Sequence, residues 1–334
     1  MDMRTEYLGL QLAHPIIASA SPITGSVDDI RRLEDAGAAA IVMPSLFEEQ
    51  LRQEAMAMDR LMAAGEESFA EATSYFPPVA DRHGGLDRYL ETLRQASESA
   101  DVPIIGSLNG ISAEGWVGYA TGVESAGASA IELNIYYIPA DLAESGADVE
   151  QRYVDVVRAV KSAVSVPLAV KVGPYFSAFG HMARELVLAG ADGLVLFNRF
   201  YQPDYDIDKL EIARTLELSA NSEIRPGLLW IALLYGRIGA SLAATSGVED
   251  YREAVKYLMA GADVVMTTSS LLRHGPGYIG QLRDDLSRWL LERDYGRVDD
   301  VRGCMSLDRV PDASAYERAN YIRILEEFEL ADTA

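Results

Sequence analysis

LVLAGADGLVLF (186–197) and LMAGADVVMTT (258–268) repeat one phrase: an amphipathic stretch, Ala-Gly-Ala, then a short β-rich run. The phrase recurs as LEDAGAAAIVM (33–43) and VESAGASAIEL (123–133). In each copy a glycine (Gly37, Gly127, Gly190, Gly261) can take the left-handed conformation that ends a helix, and its small neighbours let the next strand turn directly beneath that helix. The phrase therefore reads helix, tight turn, buried parallel strand. Its strands are continuously apolar rather than alternating, which indicates a sheet covered on both faces or closed on itself.

Working outward, strands are expected at 16–20, 39–43, 103–108, 130–134, 168–172, 193–197, 242–245 and 263–267, with helical patterns between them such as 149–164 and 180–188. Eight such units over roughly residues 15–280 have the size of an α/β (β/α)8 TIM barrel. A doubly wound open sheet uses the same phrase, but no early Gly-x-Gly-x-x-Gly fingerprint accompanies it. The chain reads as a single domain, 1–334: the barrel, an insert after the second strand, and a charged helical C-terminal extension, 281–334, expected to be solvated. The insert lies within 45–101 and holds the Met-rich QEAMAMDRLMAAG (53–65) and the loop SYFPPVADRHGG (74–85). It opens on the rim where barrels place active sites, so it reads equally as a lid or as a helix packed on the barrel or on a second subunit. The connection 198–240 contains LLWIALLYGRIG (228–239), expected to be a buried barrel helix.

Composition narrows the function classes. The 334 residues are 49% apolar and 24% charged, within the globular range. Lys and Arg number 29 against 51 Asp and Glu, a net charge of −22 that would repel nucleic acid and anionic membrane surfaces. The longest apolar run, 228–235, is too short to span a bilayer, and the N-terminal MDMRTEYLGLQL shows no secretory pattern, so a cytoplasmic location is expected. One cysteine, Cys304, excludes an internal disulfide, a cysteine-ligated zinc site and an iron–sulfur cluster held by this chain alone.

Polar residues just after barrel strands are where chemistry is expected. Here they are SASPITGS (19–26), SLNG (107–110), ELNIYYIP (132–139), VKVGPY (170–175), FNRFYQPD (197–204), TSGVED (245–250) and TTSSLLRHGP (267–276). Asn109, Asn134, Asn198 and Lys171 thus converge on one rim without a metal-type His/carboxylate cluster. Amides and a lone lysine suit a planar, hydrogen-bonding ring that gains negative charge; singly, each could equally cap a loop, and Lys171 could pair with Glu132. The last two loops carry Thr245-Ser246-Gly247 and Thr268-Ser269-Ser270, where barrels bind phosphate through backbone N–H groups and hydroxyls.

HPIIASASP (14–22), IELN-x-x-x-x-P (131–139), VPLAVKV (166–172), Asn198, LAATSGV (242–248) and LLRHGP (271–276) together resemble the dihydroorotate dehydrogenase family of flavin-dependent barrels. SLFEEQ (45–50), SYFP (74–77), ELNIY (132–136) and LFNRFYQPD (196–204) resemble its divergent, dihydroorotate dehydrogenase-like group. The resemblance implies FMN across the barrel mouth. Ser19, Ala20 and Ser21 would line its ring, Lys171 would face the N1/O2 edge, and Ser246, Gly247, Ser269 and Ser270 would hold the phosphate. Asn109 joins the cofactor set, while Asn134 and Asn198 would bridge substrate and flavin. The departures concern the substrate: Pro44 stands where the family commonly has a lysine, 52–84 offers no counterpart to the usual substrate loop, and the position of the family's serine or cysteine base holds Tyr137. Tyr137 and Lys171 are accordingly the expected catalytic residues, with Lys171 placed to lower the phenol's pKa and burial opposing it; Tyr136 or Tyr137 could equally only wall the pocket, aromatic face against the flavin.

The implied activity is oxidation of dihydroorotate or a related cyclic amide, in pyrimidine metabolism. Electrons would leave the flavin to a soluble oxidant or an acceptor protein, and a homodimer is expected from the resemblance and the Met-rich helix. Two other readings share the phosphate loops: a catalytically altered or non-redox barrel holding a phosphorylated ligand, and a phosphosugar isomerase or aldolase using Lys171, which would leave the asparagines without a role.

Overall fold

A computed structural model of the chain describes residues 1–51, 85–110, 113–199, 203–213, 217–316, 321–322 and 325–326. Strands β1 (Thr5–Tyr7) and β2 (Leu10–Leu12) form a hairpin ahead of the barrel. Then come β3 (Ile16–Ala18), β4 (Ile41–Phe47), β5 (Ile104–Asn109), β6 (Ala130–Asn134), β7 (Leu168–Val172) and β8 (Gly193–Leu196). A second hairpin, β9 (Asp204–Asp206) and β10 (Glu211–Ala213), precedes β11 (Ser241–Ala244) and β12 (Val264–Thr267). Strands β3 to β8, β11 and β12 close into an all-parallel barrel, β12 pairing with β3 through Val265 and Ile16. The expected (β/α)8 fold is the observed one.

Each of the four phrase glycines has positive φ, from 95° at Gly37 to 121° at Gly261. The helices they terminate are α1 (Val27–Asp35), α3 (Ala113–Ser125), α5 (Phe179–Leu188) and α7 (Tyr251–Ala260), while α2 (Gly85–Ser99), α4 (Gly146–Ala163) and α6 (Ile224–Leu234) lie between. Helix α6 buries Ile224, Ile231 and Leu234, as expected of a barrel helix. A short α8 (Ser269–His274) leads into α9 (Tyr278–Leu291). Here the expected solvated extension is corrected: Ile279, Leu282, Leu286 and Leu290 form a buried stripe, and Val298 and Val301 join the same core.

Two apolar layers result. One lies between strands and helices. The other fills the lower barrel, where inward-facing Ile17, Val42, Ile105, Ala130, Ala169, Val195 and Val264 meet Tyr7, Leu8 and Leu12 of the first hairpin. That hairpin plugs the N-terminal end, Leu8 N–H donating to Ser241 Oγ and Thr5 Oγ1 to the Asp263 carbonyl. Because strand side chains alternate with period two, the next inward positions up β5, β6 and β7 are Ser107, Glu132 and Lys171. The barrel interior is thus apolar below and polar above. Strand β4 runs to Phe47, beyond its expected end, with a register shift against β5 between Val42 and Ser45, around Pro44, which has no N–H to give the ladder. The expected lid or packing helix, 52–84, lies outside the described residues.

Candidate active site

The polar half of the barrel opens into a cavity of about 240 Å³ at the C-terminal rim. Ser19, Ala20 and Ser21 after β3, Lys171 on β7, Asn198 after β8, Ser246 and Gly247 after β11, and Ser269 at the start of α8 all line it. An adjoining pocket of about 180 Å³ shares Phe197, Asn198, Arg199, Thr245 and Ser246 with it. Together they reach the size of small-ligand sites, which begin at roughly 300 Å³.

The walls are rich in donors. Ser21 Oγ is buried without a hydrogen-bond partner among the described residues. Ser246 and Gly247 both have positive φ, 74° and 69°, and Ser246 Oγ donates to the Phe197 carbonyl. Gly247 N–H donates to Ser219 Oγ at 3.2 Å, and Ser219 Oγ lies 2.8 Å from Ser269 Oγ. Arg273 donates to the carbonyls of Leu218 and Ser219, tying residues 218–219 over the loops after β11 and β12. Arg199 also lines the cavity and pairs with Glu223 at 2.9 Å.

A chain of amides and hydroxyls crosses the barrel mouth beside this cavity. Asn198 Nδ2 donates to Asn134 Oδ1 at 2.5 Å, and Asn134 Nδ2 donates to Ser45 Oγ at 3.3 Å. Ser45 Oγ lies 2.8 Å from Ser107 Oγ, and Tyr89 receives the Ser107 N–H. Burial pushes the Tyr89 phenol well above its ordinary range. Lys171 is both things its position allows: it lines the cavity, and its Nζ lies 3.5 Å from Glu132 Oε1.

Not every expected residue reaches the cavity. Ser270 is corrected: its side chain is fully buried, with Oγ 2.6 Å from Thr267 Oγ1, because the second hydroxyl of the helix start turns inward. Asn109 is buried at the end of β5 and Asn134 sits beside the cavity rather than in it. Tyr137 also lies outside the cavity lining. Its hydroxyl donates to Glu144 Oε2 at 2.7 Å and the Arg152 guanidinium covers its ring at 4.3 Å, so its charged neighbours are Glu144 and Arg152 rather than the expected Lys171. Arg199 and Arg273 lie within the rim segments 197–204 and 267–276 but had no expected role there, and Ser219 belongs to the rest of the connection 198–240, which carries no motif for it.

The dihydroorotate dehydrogenase family profile matches residues 81–290. The catalytic subunit of dihydroorotate dehydrogenase B (NAD(+)) from Thermoplasma volcanium is 25% identical over 323 residues, covering 90% of this chain and 98% of the relative. That of Methanothermobacter thermautotrophicus is 26% identical over 310 residues, with coverage of 90% and 97%. No helix among the described residues is long and apolar enough to cross a membrane.

Proposed function

The chain belongs to the dihydroorotate dehydrogenase family, oxidoreductases that act on a CH–CH bond, and on that premise we propose that it oxidises dihydroorotate or a closely related cyclic amide with FMN held at the C-terminal rim. The observation that carries this reading is the single cavity that gathers residues from the loops after β3, β7, β8, β11 and β12. Its donor set fits such a cofactor: a bare buried hydroxyl at Ser21, the Gly247 and Ser269 loops for a phosphate, and a lysine on the floor. A Cβ at Gly247 would fall 2.8 Å from the Ala220 carbonyl oxygen, so this loop needs the glycine to keep its shape. FMN bound there supplies the hydride-accepting ring.

The chain's own residues do the rest. Lys171 favours the charge that builds up on reduction. Asn134 and Asn198, locked to each other, present amides to a cyclic amide substrate. Tyr137, on the rim beside the cavity, would take the proton lost from the substrate carbon while passing its own hydroxyl proton to Glu144 Oε2, so the phenol need not ionise in advance. Since the relatives are named as catalytic subunits of an NAD(+)-type enzyme and this chain has a single cysteine, electrons leave through a partner protein. Substrate identity rests on Pro44 and Tyr137, which set this rim apart from the family pattern.

Anaerobic mixing of the FMN-loaded protein with dihydroorotate and then with other dihydropyrimidine amides tests the reading. One of them should bleach the flavin spectrum in wild type and do so at least tenfold more slowly in Tyr137→Phe at unchanged FMN affinity. Failure of all of them to reduce bound FMN contradicts the activity, and equal rates in the two proteins contradict the role of Tyr137.

A further inference from the structure

Lys171 is not a free cation. It is 8% exposed, and among the described residues its ammonium has one hydrogen-bond partner, Glu132 Oε1 at 3.5 Å. That is long for a charge-assisted bond, which closes at about 2.7–2.9 Å, so most of the ammonium's donor capacity stays available to the cavity that Lys171 lines. Glu132 is 1% exposed and sits one inward position below Asn134 on β6. Its Oε2 is buried with no hydrogen-bond partner among the described residues. The Tyr7 hydroxyl, reaching up from the N-terminal plug, is likewise buried and unpartnered. Burial and the nearby Glu132 charge push the Tyr7 phenol well above its ordinary range. A carboxylate in this position is costly to bury, and neither the amide chain nor the phosphate loops use it.

We propose that Glu132 is a positioning residue: from beneath the cavity floor its carboxylate keeps the Lys171 ammonium charged and in place, so that the cavity meets a Glu132–Lys171 pair rather than a lone lysine. A lysine buried without a counter-charge releases its proton several pH units early. The other charged or titratable groups around the pair are Tyr7 on β1, Tyr89 on α2, and Arg199 and Glu217 on the cavity wall. Both phenols are shifted upward and stay protonated through the neutral range. Arg199 is committed to Glu223. This inference rests on the proposed function for its flavin readout but not for the pairing itself.

Two measurements separate them. In FMN-loaded protein, the midpoint potential is followed from about pH 6 to about pH 10, a span that brackets a depressed lysine pKa. Wild type and Lys171→Met should run parallel. Glu132→Gln should start near wild type at the acidic end and fall to the Lys171→Met line at the alkaline end, and the double variant should show no such break. A Glu132→Gln curve parallel to wild type throughout overturns the proposal. In flavin-free protein, melting temperatures of the single variants and the double variant form a cycle. The double variant should lose less than the sum of the single losses, because each single change strands a buried charge; additive losses overturn the pairing. If wild type binds no FMN, the proposed function fails and the melting cycle still decides the pair.

Discussion

Gly247 has φ +69°, and a Cβ there would approach the Ala220 carbonyl oxygen to 2.8 Å and Ile224 N to 3.0 Å. Gly247→Ala therefore meets both backbone strain and a contact with main-chain atoms that cannot swing away, and should cost about 1–3 kcal/mol of stability. Chemical denaturation of the variant measures that loss, and its FMN affinity should fall as the β11 loop shifts. His14 couples stability to pH. Its Nε2 donates to the Gly37 carbonyl and its Nδ1 accepts the Ile16 N–H, an arrangement that needs the neutral ring. Burial lowers its pKa from 6.5 to about 4. Between those values the unfolded chain binds a proton that the folded chain refuses, so stability falls as pH drops through that window, by on the order of 3 kcal/mol at its lower end. Thermal melts of His14→Gln should show a flatter acid limb than wild type; parallel limbs would remove His14 from the account. Ser19, Lys171, Asn198 and Ser246 were legible in the sequence because a parallel barrel sends every strand end to one rim. Ser219 was not, since its place at the cavity depends on how the long connection 198–240 folds back.

At the scale of elements, the Ala-Gly-Ala phrase was readable because it encodes a local geometry, a left-handed glycine followed by a strand, that the wider fold has no means to override. The C-terminal helix was misread for the opposite reason. Helix α9 carries Asp284 and Arg288 on its exposed side, with half-buried Arg283 and Asp285 beside the packed face, and these charges mask the stripe Ile279, Leu282, Leu286 and Leu290 that packs on the barrel. Leu286→Ala should therefore cost about 2–5 kcal/mol, the range for a buried leucine whose site cannot fully collapse. A loss under about 0.5 kcal/mol by denaturant titration, the level of a surface change, would return α9 to the status of an appendage. The second strand marks a boundary that pattern reading could not place. Its apolar run ends near Met43, yet pairing resumes past Pro44 to Phe47 and brings Ser45 to Ser107 and Asn134.

For the whole molecule, net charge −22 opposes the proposed anionic cofactor, and only local donors could make its binding favourable. The structure gathers main-chain N–H groups and hydroxyls of the last two loops around one cavity, with Lys171 and the Glu223-paired Arg199 in its lining and Arg273 bracing residues 218–219 behind it. Fluorescence titration of flavin-free protein with FMN and with riboflavin, which lacks the phosphate, tests that claim most directly. FMN emission should change to a saturating one-to-one endpoint, riboflavin should bind at least tenfold more weakly, and Ser246→Asp should remove most of this difference. FMN fluorescence left unaltered by an excess of folded protein would contradict it.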